Sequence, residues 1–197
     1  MSADRVESPL ALTRRARRMY RLLHERYPYA HCELDFDTPL QLLVATVLSA
    51  QTTDVMVNKV TPTLFARWPT AADLAAADRT EMEEVLRPTG FYRAKTNSVL
   101  KLAAAIVEEH EGEVPPRLQD LVKLPGVGRK TANVVMSVGF GIPAFAVDTH
   151  VVRICKHHDI VKKSATPLEV EKRVMDVLPP ERWLPAHQAM IYFGRAI

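Results

Sequence analysis

The stretch Leu121-Val-Lys-Leu-Pro-Gly-Val-Gly-Arg-Lys-Thr-Ala-Asn-Val-Val135 decides how the rest of the chain is read. Four of the seven glycines fall between residues 126 and 141, and two of them sit in this string. A short helix is expected to end near Leu124. Pro125 starts a tight turn, and Gly126 and Gly128 permit positive φ and close approach of the backbone to a neighbour. A second helix then begins at about residue 128. Its first N–H groups and the positive end of its dipole point at one place, a geometry suited to a phosphate. Contacts of that kind position a nucleic acid without reading its sequence. A plain helical hairpin whose glycines only make the turn would look the same over a bare Gly-x-Gly.

Outward from this hairpin the pattern is helical throughout. Apolar residues recur at helical spacing, as in Val99, Leu102, Ala103, Ile106 and Val107, and period-2 runs of β-branched residues are missing. Thr38-Pro-Leu-Gln41 and Thr166-Pro-Leu-Glu169 both read as capping boxes with proline at the first helical position. About ten helices are expected, near 9–27, 39–51, 54–67, 71–76, 79–87, 93–110, 117–122, 128–139, 149–158, 167–178 and 184–196, which makes the fold class all-α. The helix after Thr38 is apolar over most of its circumference and should cross the core, delivering Ser49-Ala-Gln51 to a surface. In the first helix Arg14, Arg15, Arg17, Arg18 and Arg21 read as a solvated face, with Leu12, Ala16, Met19, Leu22 and Leu23 packing. Pro115-Pro116 and Pro179-Pro180 mark turns.

Composition narrows the class. With 197 residues, 47% hydrophobic and 25% charged, the chain can bury a core. Its apolar runs are far short of a membrane span, and no secretory signal is visible in the polar Met1–Glu7, so a cytoplasmic protein without membrane association is expected. Cys32 and Cys155 suit a reducing compartment and cannot make a disulfide scaffold. Net charge is only +3, but Lys123 to Lys163 holds seven Lys or Arg against Asp148 and Asp159, while the remainder carries 19 basic and 21 acidic residues. Such a segment reads as a footprint for a polyanion or as a solvated face.

The full string of the hairpin resembles the helix-hairpin-helix of the DNA glycosylase superfamily, and Lys130 with Asp148 in Val147-Asp-Thr-His150 match its endonuclease III branch. Leu48-Ser-Ala-Gln-Thr-Thr-Asp54 is similar to that branch's substrate-facing loop, and Gly90-Phe-Tyr-Arg-Ala-Lys95 to its wedge loop. The resemblance covers roughly residues 30–197. It implies two helical lobes: a six-helix lobe over 32–142 containing the hairpin at about 118–138, and a second built from 1–31 plus 143–197. A DNA groove lies between them, with Lys130 and Asp148 on opposing walls. It further implies a monomer acting on damaged double-stranded DNA in base excision repair, with oxidised pyrimidines such as thymine glycol as substrates.

Residue chemistry supports the match. Lys130 in the first turn of a helix, beside Arg129, should lose its proton more easily than a free lysine. A neutral amine attacking C1' expels the base and leaves an iminium, which permits β-elimination of the 3'-phosphate. Asp148 reads as the N-cap of the next helix, and an anion there would stabilise oxocarbenium-like charge. By resemblance Gln51 fills the space left by a flipped nucleotide and Phe91, where leucine is usual, wedges into the opposite strand. Gly126, Val127, Gly128, Arg129 and Thr131 would grip DNA. Ser49, Asp54 and His150 are pocket candidates, His150 reading equally as a structural first-turn residue. Rival readings are a monofunctional glycosylase of the same fold, which generally lacks lysine at position 130, and a DNA-binding module without catalysis.

Most members of the branch bind a 4Fe-4S cluster through cysteines spaced C-x6-C-x2-C-x5-C. The chain stops at Phe193-Gly-Arg-Ala-Ile197, where the first would come next, and Cys32 and Cys155 match none of the four positions. A sequence that ends short of the loop and a natural cluster-free member both fit; the mid-helix end favours the former. No metal site is expected in this chain.

Overall fold

The computed structural model describes residues 7–197. The described residues form eleven α-helices and no strand: α1 (Pro9–Arg26), α2 (Pro39–Leu48), α3 (Asp54–Arg67), α4 (Ala71–Ala76), α5 (Arg79–Leu86), α6 (Tyr92–His110), α7 (Leu118–Leu121), α8 (Arg129–Val134), α9 (Thr149–His157), α10 (Pro167–Val177) and α11 (Trp183–Ala196). No helix among the described residues is long and apolar enough to cross a membrane. Contacts divide the chain into two compact units, one of Cys32–Ile142 and one of Met1–His31 with Pro143–Ile197, of which residues 1–6 lie outside the described part.

The Cys32–Ile142 unit contains α2 to α8, the seven helices that the spacing predicts between residues 39 and 139, of which α7, expected near 117–122, is a single turn. At its centre α2 packs on α3, α6 and α8, with Leu42, Leu43, Ala45 and Leu48 wholly buried. Each such leucine contributes about 1.5–3 kcal/mol through burial. Thr38 caps α2 by accepting from the N–H of Gln41. The expected box is only half formed, because the Gln41 side chain accepts from Asp37 N–H one residue earlier than the cap (2.8 Å). Complete boxes occur at Thr70/Asp73 and Thr166/Glu169. Two expected helices are shorter than their pattern. The helix from Pro39 ends at Leu48, since Gln51 adopts a left-handed φ of 54°. The helix after Gly128 loosens from Val135 to Gly139 into a π turn, with Phe140 N–H reaching back to Val135 O. There Gly139 meets Leu42, and a Cβ would stand 3.2 Å from the leucine.

The other unit packs α1, α9, α10 and α11 around Phe145, Val151, Ile154, Cys155, Val170 and Ala189. The arginines of α1 are not merely a solvated face. Arg15 pairs with Glu7 at 2.6 Å and donates to the carbonyls of His158 and Asp159, and Arg17 donates to Val177 O at 3.1 Å. They close the C-terminal ends of α9 and α10, where carbonyls lack helical partners. Leu22, expected to pack, is 56% exposed. Where α11 crosses α9, Gly194 touches His150: an added Cβ would come within 2.6 Å of the His150 Cβ.

Candidate active site

The hairpin is α7, a turn and α8. Leu124 and Val127 are buried and anchor the turn, Val127 N–H donating to Leu124 O at 3.1 Å. Gly126 has φ +76°, a conformation that disfavours a side chain. Gly128 does not need that freedom: as N-cap of α8 it is extended, with φ −82° and ψ 169°. A Cβ on either glycine would meet no protein atom within 4 Å, and no side chain caps α8. The backbone at this helix start therefore faces open space, the arrangement that receives a phosphate. Arg129 and Lys130 occupy the first two helical positions, both exposed, and Thr131 follows half-buried.

Four of the predicted residues meet. Gln51, Phe91, Gly126 and Thr131 line one cleft of about 380 Å³, together with Thr46, Val47, Ala50, Ala94, Lys95 and Ser98. The two side chains at its mouth belong to left-handed residues: Gln51 at φ 54°, and Phe91 at φ 47°, ψ 27°, which is 67% exposed. Non-glycine residues held there cost on the order of 1–3 kcal/mol each and cluster at functional sites. Ser49 and Asp54 do not line this cleft. Ser49 turns its hydroxyl back to Thr46 O at 2.8 Å, and Asp54 opens α3, whose cap Thr53 accepts from Met56 N–H.

The charges of Asp54 and Lys130 both reach a thiol to which the sequence assigns no part in the site. The Cys32 thiol is pushed up chiefly by burial, drawn down by the Leu34 backbone, raised by Asp54 and lowered by the Lys130 charge. No sequence spacing could reveal this, since the three residues come from distant parts of the chain. Nothing in Gly90-Phe-Tyr-Arg-Ala-Lys95 hints that the Lys95 side chain is only 5% exposed.

Asp148 and His150 belong to the other unit. Asp148 caps α9, its Oδ1 accepting from Val151 N–H at 2.8 Å, and is partly exposed. His150 packs on Gly194, with Arg153 bridging from near its Nδ1 (3.3 Å) to Gly194 O (2.5 Å), so its observed contacts are those of a helix crossing. The basic segment is also divided: Lys123, Arg129 and Lys130 lie in one unit and Arg153, Lys156, Lys162 and Lys163 in the other. Part of its charge is spent internally, with Lys163 on Asp159 at 3.0 Å and Lys123 on Asp120 at 3.5 Å.

The sequence model of the HhH-GPD superfamily base excision DNA repair proteins matches residues 44–180. The chain is 47% identical to endonuclease III of Bacillus subtilis, covering 87% of this chain and 78% of the relative, and 48% identical to that of Synechocystis over 93% and 84%. A trapped endonuclease III–DNA covalent intermediate, in an estranged-adenine complex, is 46% identical and superposes with a TM-score of 0.89 over 93% of this chain and 86% of the other. A thermostable thymine-DNA glycosylase shares the fold at TM-score 0.83 with 18% identity, covering 95% and 89%. The chain belongs to the endonuclease III family, within the HhH-GPD superfamily of base excision DNA repair proteins.

A 4Fe-4S cluster, usual in that family, requires four thiolates. Cys32 and Cys155 fall in different units, and Cys155 is sealed in the core of α9, its thiol pushed up to about 12 by burial. Among the described residues no three His, Cys, Asp or Glu stand together as a metal site. The residues present do not fit the group.

Proposed function

We propose that this base excision DNA glycosylase/lyase removes oxidised pyrimidines, such as thymine glycol, from duplex DNA and cuts the strand at the resulting abasic site, with Lys130 as nucleophile. The observation that carries the reading is the cleft where Gln51 and Phe91, both in strained left-handed conformations, face the hairpin residues Gly126 and Thr131. An enzyme that works on a stacked base must extrude it and occupy the gap. Phe91 is an exposed apolar wedge and Gln51 a polar plug that can replace lost base-pair hydrogen bonds. Gly126, Gly128, Arg129 and Thr131 hold a phosphate by backbone N–H and charge, while Val127, its N–H taken by Leu124 O, anchors the turn that presents them.

The neutral amine of Lys130 attacks C1', and the electrons of the N-glycosidic bond leave with the base. Opening of the sugar gives an iminium that acidifies the C2' hydrogen. Loss of that proton pushes electrons toward C3' and expels the 3'-phosphate. Asp148 supplies the anion that stabilises positive charge at the sugar, its carboxylate oriented by the hydrogen bond from Val151 N–H. Ser49, Asp54 and His150 are assigned secondary roles in shaping the pocket. The protein is taken to act as a monomer beside chromosomal DNA in the cytoplasm, and no cluster is expected on these 197 residues.

Incubation with a thymine glycol duplex tests this on a denaturing gel. The bifunctional reading predicts a nick bearing a 3' unsaturated aldehyde without alkali. A free base with a strand that breaks only on alkali treatment would indicate a monofunctional glycosylase, and binding without either product a DNA-binding module.

A further inference from the structure

Lys95 lies in the first turn of α6, is 5% exposed, and lines the cleft beneath Phe91. Its Nζ donates to Thr89 O at 2.8 Å, and its backbone N–H donates to Phe91 O at 3.0 Å. One residue therefore grips the chain on both sides of Gly90. Thr89 is itself fixed, its hydroxyl donating to Leu86 O at 2.7 Å. Between the two grips lie Gly90 at φ +69° and Phe91 at φ 47°, backbone that would relax elsewhere without restraint.

Packing alone does not account for a lysine here. Burial holds its ammonium below the ordinary lysine range, and no carboxylate pairs with it among the described residues. A methionine would fill the same space without the cost of desolvating a charge. What the ammonium adds is a charge-assisted hydrogen bond to a loop carbonyl, roughly twice as strong as a neutral one.

We infer that Lys95 is a positioning residue for opening the duplex: its ammonium fixes the Thr89–Phe91 loop so that Phe91 stands at the mouth of the cleft before DNA arrives. This rests on the reading of Phe91 as the wedge. It assigns Lys95 no contact with the reacting atoms, so its effect falls on unstacking and not on the chemistry at C1'. Cleavage of a preformed abasic site, which has no base to extrude, should depend on it little.

The test places 2-aminopurine in the strand opposite a thymine glycol and follows its unstacking by stopped-flow fluorescence, using the full chain. Lys95→Met should slow unstacking at least about tenfold, as misplacement of a positioned group does, while cleavage of a preformed abasic site changes little. Phe91→Ala should slow it as much or more, and the double variant should be no slower than Phe91→Ala alone. Should Lys95→Met lose its helical signal, Lys95→Gln, which keeps a neutral donor, is measured in the same way. Normal unstacking by a folded Lys95 variant beside a slow Phe91→Ala, or additive losses in the double variant, would overturn the role of Lys95. Normal unstacking by Phe91→Ala would overturn the wedge reading itself.

Discussion

Phe91 gives up two stabilising features at once: two-thirds of its side chain stays in water, and its backbone is left-handed. Phe91→Gly should therefore stabilise the fold by about 0.5–1 kcal/mol relative to Phe91→Ala, since glycine carries no penalty at φ 47°. Urea midpoints measure that difference, and equal midpoints would mean the backbone is unstrained. Asp148 poses the opposite problem, a residue with both a structural and a proposed chemical task. Asn caps helices as well as Asp, so Asp148→Asn should retain stability while losing excision rate. Asp148→Ala should lose about 1 kcal/mol as well. If Asp148→Asn kept full activity, the carboxylate would be only a cap. At the contact of Gly194 with His150, Gly194→Ala forces a Cβ to within 2.6 Å and should destabilise by about 1–3 kcal/mol in thermal or urea unfolding.

Among the elements, helix starts were the most legible. Thr38, Thr166 and Asp148 announce their helices through side chains whose only requirement is the next three residues, and each accepts the expected N–H. Helix ends and interruptions were less so. The π turn from Val135 to Gly139 lies inside a largely apolar run, where Gly139 meets Leu42 of another helix, and α2 stops at Leu48, short of the expected Gln51, as the chain turns polar at Ser49-Ala-Gln-Thr-Thr53. Arg15 and Arg17 show the same limit, since a basic stripe on a helix looks solvated until the carbonyls it meets are known. Helix-end electrostatics also set an acid limit. Glu7 is held below the usual carboxylate range by its hydrogen bond to Arg15, Asp159 by Lys163 and Glu169 by Thr166. A carboxylate whose folded pKa is depressed contributes stability fully above its ordinary value of about 4 and loses it as pH falls through the folded value. Stability should thus decline below about pH 4.5, and Glu169→Gln should show less of that decline. A urea midpoint unchanged between pH 7 and pH 3 would contradict it.

For the molecule as a whole, the all-α class was legible from spacing alone, and the family from four short motifs. The candidate site was legible only in part. Gln51, Phe91, Gly126 and Thr131 meet in one cleft, yet the strain at two of them, the burial of Lys95 and the influence of the Lys130 charge on the Cys32 thiol are products of tertiary packing. Charge too is spent differently than a count suggests, with Lys163, Lys123 and Arg153 engaged internally. The logarithm of the DNA association constant should still fall linearly with log salt, with a slope near −0.9 per phosphate contacted, and Arg129→Ala should reduce the size of that slope by about one. In the proposed reaction Lys130 forms a covalent Schiff base with damaged DNA. Borohydride reduction of the protein with duplex DNA bearing one abasic site tests it on a denaturing gel. The expected result is a protein–DNA adduct that vanishes in Lys130→Ala while DNA binding persists; an adduct that survives the substitution would rule out Lys130 as the nucleophile.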